Sequence, residues 1–350
     1  MAELMTVLGP IDAQHLGITL PHEHLLIDLS CLWHHPLDAS REILVDAPVV
    51  MENRGLLVCD PYHSRDNLLI NDVDLASVEL ARFKSLGGGT VIDLSTRSLG
   101  PYPQQLAEIS RRTGLNIIAG TGFYTRPAHP DYVKDASIAA LAQQMIDDLT
   151  KGFPGTNIRA GVIGEIGSSS PIHTDEIKVL HAAAIAQKET GAGINVHLPI
   201  FAREGHNVLD VLCADGVDPS CITLSHLDEN PDLEYHLSLA KRGCFIEFDC
   251  FGSEVYFDED NLREPSDAER IDALLRLLDA GFENQILLSQ DICTKMQLRK
   301  YGGMGYDHIL LNIVPRLRKR GLDQVLIDRL LVQNPARFLC MGQVQSQPNG

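Results

Sequence analysis

The chain has 350 residues, of which 44% are hydrophobic and 22% are charged, so it has enough material for a large globular core. Its formal net charge of −18 argues against nucleic acid and anionic membranes as partners, because surfaces of the same sign repel. The opening residues MAELMTVLGP lack the basic start and apolar run of a signal peptide, and no apolar stretch approaches the length that spans a bilayer. We therefore expect a cytoplasmic protein.

Eight strand-like segments recur along the chain and alternate with stretches of helical periodicity. The strand candidates are GITLPHE (17–23), GTVIDLS (89–95), NIIAGTGFY (116–124), AGVIGEIG (160–167), GINVHLP (193–199), CITLSHL (221–227), CFIEFDC (244–250) and QILLSQD (285–291). The clearest helical stretches are 72–87, 103–114, 137–152, 175–191 and 268–281. Each of these ends in glycine, a residue that readily terminates a helix.

Eight alternating strand–helix units predict an α/β fold, a single (β/α)8 barrel, because eight parallel strands close naturally into a cylinder. An open doubly wound sheet is the alternative, but the GxGxxG motif of its dinucleotide-binding form does not follow the first strand. We predict one domain over residues 1–340 and a flexible tail over 341–350. Residues 31–70 and 251–266 are predicted to be long loops on the catalytic face of the barrel.

The eight cysteines are scattered along the sequence without any CxxC pair. An even number is compatible with disulfides, but a chain of this length does not need them to stabilise its core. Reduced thiols are therefore expected, which agrees with a cytoplasmic location.

Six ionisable residues lie near the downstream ends of predicted strands. They are His22, His24, Glu165, His197, His226 and Asp291. Parallel barrel strands all end at one mouth, and imidazole and carboxylate groups are ligands that suit zinc and similar divalent ions. Each residue alone also has a structural explanation, such as a hydrogen-bonded core histidine, a carboxylate paired with arginine or a helix cap. Burying all six without a cation would be costly, so together they predict a metal site.

The spacing within this set fits two ions. His22 and His24 are two residues apart on one strand, so both point to the same face while Glu23 points away. The more buried ion would be bound by His22, His24 and Asp291, and the more exposed ion by His197 and His226. Glu165 would reach both ions, because a carboxylate can offer one oxygen to each and reduce their mutual repulsion.

Further segments extend the pattern: TVLGPIDAQHLGITLPHEHLLID near the start, then GTGFY, GVIGEIG, SHLD, DCFGSE and KYGGMGYDHILLNIVP. With these segments the chain resembles the phosphotriesterase family of the amidohydrolase superfamily, and its phosphotriesterase-related branch in particular, over nearly its whole length. The resemblance implies a (β/α)8 barrel, hydrolytic activity and a binuclear centre, usually of zinc, with manganese or cobalt as alternatives. It implies the same division of ligands, with Glu165 at a position where many members have a carboxylated lysine and the related branch has glutamate.

The predicted function is a binuclear metal-dependent hydrolase in which a metal-bridging hydroxide attacks a small ester, lactone, N-acyl amide or phosphoester. Asp291 is the candidate that accepts the proton of the hydroxide. One alternative is a mononuclear enzyme of the deaminase type, against which Glu165 argues. The other is a barrel that binds a small molecule without catalysis, which would not need six ligands. No nucleic-acid or membrane partner is expected, and a homodimer is compatible with the resemblance.

Other polar residues near the predicted strand ends have weaker assignments. Tyr124 is a candidate substrate contact or a rim aromatic, and Arg203 is a candidate partner for an anionic substrate group or a surface helix residue. Asp228 is expected to orient a ligand histidine or to be an ordinary turn residue. Three further histidines are expected to be solvated or structural: His34, His35 and His173.

Overall fold

A computed structural model of the protein describes residues 3–258 and 261–345, and its centre is an eight-stranded parallel sheet. The strands are β1 (Ile18–Glu23), β2 (Gly88–Asp93), β3 (Asn116–Thr121), β4 (Val162–Gly167), β5 (Ile194–His197), β6 (Ile222–Leu224), β7 (Phe245–Phe248) and β8 (Ile286–Leu288). Their order in space is their order in the sequence, without the reversal of a doubly wound sheet. The predicted barrel is therefore confirmed, and each strand lies within a predicted segment except β2, which begins one residue earlier at Gly88.

The first and last strands meet at their downstream ends, which brings the sheet close to a full barrel. The amide of His22 donates to Ser289 Oγ at 3.1 Å, and the amide of Asp291 donates to the carbonyl of His22 at 3.3 Å. Glu23 adds a clamp across the same seam, because its carboxylate accepts hydrogen bonds from the amides of Gln290 and Ile292, both at 3.0 Å. Residues at the two ends of the chain are thus held side by side.

Helices follow the strands and cover the outside of the barrel. They are α1 (Val73–Ser85), α2 (Pro103–Thr113), α3 (Ile138–Thr150), α4 (Thr174–Thr190), α5 (Gly205–Ala214), α6 (Leu233–Ala240) and α7 (Asp267–Asp279), followed by helical segments Ile309–Ile313, Val314–Lys319, Gln324–Asp328, Arg329–Gln333 and Asn334–Gln345. Short polar side chains start several helices: Asp72 accepts from the amide of Leu75, and Ser266 forms a reciprocal cap with Glu269. Gly114 ends α2 with a left-handed φ of 66°, as the predicted helix stop requires.

The opposite end of the barrel is closed by an N-terminal hairpin of Glu3–Thr6 and Gly9–Asp12. Leu4 packs there with Phe245 and Phe338 in a buried apolar cluster. With this end sealed, the only mouth that the described strands leave for a ligand is the one at their downstream ends.

The two long excursions carry short elements of their own. Residues 31–70 contain the helical turns Ala39–Leu44, Arg54–Leu57 and Pro61–His63, and residues 251–266 contain the strand pair Tyr256–Phe257 and Leu262–Arg263. Tyr62 of the first excursion packs on Phe257 of the second, with ring centroids 5.5 Å apart. Both rings line the cavity at the downstream mouth, so the predicted placement of these loops is confirmed.

At the C-terminus, helix Asn334–Gln345 continues past the start of the predicted tail, and residues 346–350 lie outside the described part of the chain. Among the described residues, no helix combines the length and apolarity that crossing a membrane requires. The eight cysteines are unpaired thiols.

Candidate metal centre

The downstream ends of five strands bring the six predicted side chains together. Four of these side chains are almost completely buried, and the others, His197 and Asp291, keep side-chain exposures of only 15% and 18%. Within the first predicted group, His24 Nε2 lies 3.2 Å and His22 Nε2 lies 3.7 Å from Asp291 Oδ1. This spatial arrangement is the one that the strand-end argument predicts.

Glu165 lies between the two predicted groups. Its Oε1 atom is 2.9 Å from His226 Nε2, 3.0 Å from His197 Nδ1 and 3.4 Å from His22 Nε2. The side chains of His197 and His226 also approach each other, with these two nitrogens 2.8 Å apart. One carboxylate oxygen therefore faces nitrogens of both groups.

Two buried atoms of this cluster lack the hydrogen bonds that burial normally demands. They are His22 Nε2 and Asp291 Oδ1. An orphaned nitrogen and an orphaned oxygen 3.7 Å apart are costly in an apolar interior, but they suit a cation that both can contact. Ligand atoms around a tetrahedral zinc ion with bonds of about 2.0–2.1 Å lie about 3.3 Å from one another, close to the separations in this cluster. The residues present therefore fit a divalent metal.

The far sides of the ligand rings are held by acceptors that fix which nitrogen faces the centre. Asp249, which follows β7, accepts from His226 Nδ1 at 3.0 Å, and its other oxygen lies 3.0 Å from His22 Nδ1. His22 Nδ1 also has Ser225 Oγ at 3.2 Å and Glu247 Oε2 at 3.3 Å as hydrogen-bond partners. Ser95 Oγ lies 3.1 Å from His24 Nδ1 and donates to the carbonyl of Leu26, so it accepts from the ring. When Nδ1 carries the proton, Nε2 is left as the electron-pair donor toward the centre.

The buried ionisable groups of the cluster strongly shift one another's pKa values. Burial opposes the ionisation of Glu165, yet His197 and His22 beside it hold its pKa well below the usual range. Burial likewise disfavours a charged His22, but the carboxylates of Asp249 and Glu165 raise its pKa well above the usual range. In the metal-free protein, protons on histidine thus balance the buried carboxylates. A divalent cation can replace these protons.

Two of the six residues adopt a backbone conformation that L-residues rarely occupy. His226 has a φ of 59° and Asp291 a φ of 44°, both in the left-handed region. Such conformations cost on the order of 1–3 kcal/mol each and persist where the surroundings enforce them, commonly at functional sites. The seam hydrogen bond from Asp291 to His22 and the bonds from the His226 amide to Asp249 supply that enforcement here.

A cavity of about 720 Å³, including its opening, adjoins the six side chains. Its apolar wall includes Ile27, Leu29, Leu99, Ile200, Val255 and Phe257. Glu229 and Glu264 add carboxylates to the wall. A small organic molecule that enters this cavity would contact both the cluster and the apolar wall.

The weaker sequence assignments have mixed outcomes. Tyr124 is buried and lines the cavity, with its hydroxyl 3.4 Å from both ring nitrogens of His197. Arg203 does not line the cavity: its exposed side chain pairs with Asp232 and lies over the ring of Tyr235. The interpretation of Arg203 as a substrate contact is corrected accordingly, because a partner on α6's N-cap holds the guanidinium away from the mouth.

The remaining polar residues have structural partners. His173 caps α4 together with Glu176. Asp228 accepts from the amide of Cys250 and pairs with buried Arg270 at 2.9 Å, so it braces the loop after β7. Burial raises the pKa of Asp228 to about 7 despite that arginine. His35 is largely exposed near Glu42.

Asp249 is a supporting residue that was not predicted from the sequence. Its position was one signal, because it follows the seventh strand and the predicted ligands lie at the ends of five other strands. Glu247, two residues earlier, also reaches the cluster, 3.3 Å from His22 Nδ1. Two acidic residues at alternate positions, in and just after a buried strand, are unusual and were a second signal.

A parallel barrel with histidine and carboxylate side chains gathered at its downstream mouth defines a class, the metal-dependent hydrolases built on this fold. A sequence profile of the Phosphotriesterase family matches residues 2–339. The chain therefore belongs to the phosphotriesterase family and is a hydrolase.

Similar proteins extend over nearly the full length of the chain. The N-acetyltaurine hydrolase of Xenopus tropicalis is 37% identical over 341 residues, which cover 96% of this chain and 97% of that protein. The crystal structure of a resiniferatoxin-binding protein from Rhodobacter sphaeroides is 38% identical, with a TM-score of 0.95 over 96% of this chain and 94% of that one. The phosphotriesterase homology protein of Escherichia coli, with phosphate in its active site, is 32% identical, with a TM-score of 0.77 over 94% and 100%.

Proposed function

We propose that this protein is a binuclear zinc-dependent hydrolase that cleaves the amide bond of a small N-acyl amine. An amide substrate is supported by the N-acetyltaurine hydrolase from Xenopus tropicalis, which is similar over almost the whole chain. Zinc is favoured by the mixture of imidazole and carboxylate donors, with manganese and cobalt as weaker candidates. Lactones, carboxylic esters and phosphoesters are the other substrates that such a centre suits.

The six clustered side chains would hold the two ions. His22, His24 and Asp291 would bind one ion, His197 and His226 the other, and Glu165 would contribute to both. Bound divalent ions lower the pKa of water and polarise a carbonyl group. The orphaned His22 Nε2 and Asp291 Oδ1 support this assignment, because neither atom has a hydrogen-bond partner.

Asp291 is proposed as the proton acceptor. Its carboxylate has a side-chain exposure of 18%, whereas His22 beside it has none, so Asp291 can pass a proton from the buried centre toward the cavity. Tyr124 is proposed to orient the acyl group, because its hydroxyl reaches into the cavity beside His197.

The charge of the cavity wall supports an amide as the substrate. Among the described residues that line the cavity there is no lysine or arginine, while Glu229 and Glu264 both line it. Glu229 pairs with buried Arg270 through Oε1, while its Oε2 is buried without a hydrogen-bond partner and can accept from a ligand. Burial raises the pKa of both carboxyl groups, and a positive group in the cavity would lower them again. Such a wall favours a substrate whose leaving group becomes a cation, as the amine of an amide does when it gains a proton; the acyl product is a carboxylate for amides and esters alike.

The same wall predicts a preference within amides. A cationic amine portion would gain on the order of 1–2 kcal/mol from one carboxylate about 8–10 Å away at an effective dielectric constant of about 20, or about tenfold in kcat/KM. An anionic portion, such as the sulfonate of N-acetyltaurine, would find no cationic side chain among the described lining residues. We expect kcat/KM to decrease from the amide with a cationic amine portion, through the neutral one, to the anionic one.

The test is a steady-state comparison of N-acetylputrescine, N-propylacetamide and N-acetyltaurine with a γ-lactone and an aryl phosphotriester, on protein loaded with zinc. The proposal predicts measurable kcat/KM on the amides and the highest value on the cationic one. Turnover of the lactone or the triester with no amide cleaved would contradict it. Metal analysis separates the alternatives: about two ions per chain fit the binuclear centre, about one fits the mononuclear rival, and none fits a binding protein.

Matched variants test the role of the wall. Glu229→Gln and Glu264→Gln should each lower the preference for the cationic over the neutral amide by several-fold, while Glu254→Gln should not. Glu254 is the control because it lies exposed on the same loop as Glu264 and does not line the cavity. Equal preferences in all three variants would show that the wall does not select the substrate.

A further inference from the structure

A second cluster of potential metal ligands lies on the long excursion after β1 and shares no residue with the six described above. It consists of His34, Asp60 and His63. Asp60 and His63 are almost completely buried, and the His34 side chain is 22% exposed. One ligand atom from each residue lies within 4.8 Å of the others. The sequence had suggested only a solvated or structural role for His34.

His63 is the unusual member of this cluster. Its side chain is buried, yet neither Nδ1 nor Nε2 has a hydrogen-bond partner. Nε2 lies only 3.2 Å from Asp60 Oδ2, close enough for a hydrogen bond but not aligned for one. A nitrogen and a carboxylate oxygen that are close but not aimed at each other can both be directed at a third point. His22 and Asp291 of the metal centre show the same pattern.

The other distances and the ring orientations agree with an ion at that point. His34 Nε2 lies 3.6 Å from Asp60 Oδ1, so the two nitrogen–oxygen separations bracket the spacing of about 3.3 Å around a tetrahedral zinc ion. His34 Nδ1 lies 3.2 Å from the carbonyl of His35, to which it can donate, which leaves Nε2 as an electron-pair donor.

We propose that His34, Asp60 and His63 bind one further zinc-type divalent ion, separate from the catalytic centre. Three protein donors leave a position for water. The ion would have a structural effect on the cavity, because Asp60 also caps the turn Pro61–His63, in which Tyr62 lines the cavity wall. The amide of Asp258 donates to Asp60 at 3.4 Å, so both excursions would be tied at this point.

The first test is the metal content of the full-length protein after saturation with zinc and removal of free metal. The double variant His34→Asn/His63→Asn should retain one ion fewer per chain than the wild type. His35→Asn should retain the wild-type content, because His35 is an exposed neighbour that the proposed site does not use. Equal metal content in the double variant and the wild type would overturn the proposal.

The second test needs no change in the proposed site. Trp33 is the only tryptophan of the chain, and its Nε1 donates to the carbonyl of His63 at 3.1 Å. Co²⁺ should therefore quench its fluorescence at one equivalent per chain. The quenching should persist in His22→Asn/His24→Asn, which lacks ligands of the catalytic centre. No quenching, or quenching that disappears in that variant, would refute the additional site, while the binuclear centre would still be judged by its own metal content and activity.

Discussion

Replacing Asp249 with asparagine tests whether the support behind the ligands controls the metal centre. One carboxylate oxygen of Asp249 accepts from His226 Nδ1 at 3.0 Å, and the other lies 3.0 Å from His22 Nδ1. Asparagine keeps one oxygen and replaces the other with an NH2 group. That group would face the N–H of one ring at a position that bulk solvent does not reach.

The affected ring would lose this acceptor, which weakens the preference for a proton on Nδ1 and favours its transfer to Nε2, the nitrogen that faces the centre. Loss of one such support typically costs 10–100-fold in metal affinity. Because Asp249 is charged and serves rings of both ligand groups, we expect a loss of about 100-fold, or about 2.8 kcal/mol. Ser95→Ala removes a neutral acceptor from His24 alone and should cost about tenfold.

The assay is competition for zinc against a chromophoric chelator at constant pH, on variants whose circular dichroism and unfolding midpoint are measured alongside. The expected order of affinity is wild type, Ser95→Ala, then Asp249→Asn. A folded Asp249→Asn protein that binds zinc as tightly as the wild type would refute the idea that this carboxylate fixes the tautomers.

Three other predictions concern the centre and the barrel. Asp291→Asn should stay folded and lose most turnover, measured as kcat at saturating zinc; unchanged kcat would exclude the proton-acceptor role. Neighbouring carboxylates raise the pKa values of His22 and His226, so protons compete with metal for these rings as the pH falls. Zinc affinity should therefore decrease at acidic pH, and zinc binding should release protons. Calorimetry in buffers of different ionisation heats measures this release, and finding none would show that the rings were already neutral. Gly120→Ala would place its Cβ 2.0 Å from a carbonyl oxygen of β4 and should destabilise the barrel by about 3 kcal/mol or more in urea unfolding. Gly55→Ala is the control, because its Cβ would meet no neighbouring atom within 4 Å and the change should be nearly neutral. Equal unfolding midpoints for the two variants would contradict the close strand contact.

The sequence was most informative where the geometry of the fold determines where a given sequence position lies in space. Strand ends of a closed parallel sheet share one mouth, so Glu165 and Asp291 could be assigned to one site although 126 positions separate them in the printed numbering. Alternation along a strand also separated His22 and His24 from Glu23, and the structure places Glu23 at the seam with β8. These inferences need only the fold and the register.

Sequence reasoning was least informative where a side chain lies in a long loop or after a helix cap. Arg203 follows β5 closely enough to reach the mouth, but Asp232, 29 residues later, holds it at the surface. The approach of His34 to His63 depends on the path of an irregular excursion, which no periodicity describes. Asp249 was overlooked for a different reason. It contacts predicted ligands without being one, and it follows β7, the one strand among β4–β8 that carries no predicted ligand.

The seam between β1 and β8 has a consequence for how the molecule matures. Two of the three residues of one predicted ligand group come from the beginning of the chain and the third is Asp291, and Glu23 joins the two regions through its bonds to Gln290 and Ile292. A polypeptide that ends before Asp291 lacks both the last of the six predicted ligands and the backbone partners of Glu23. The proposed centre can therefore be completed only after β8 has been synthesised and joined to β1.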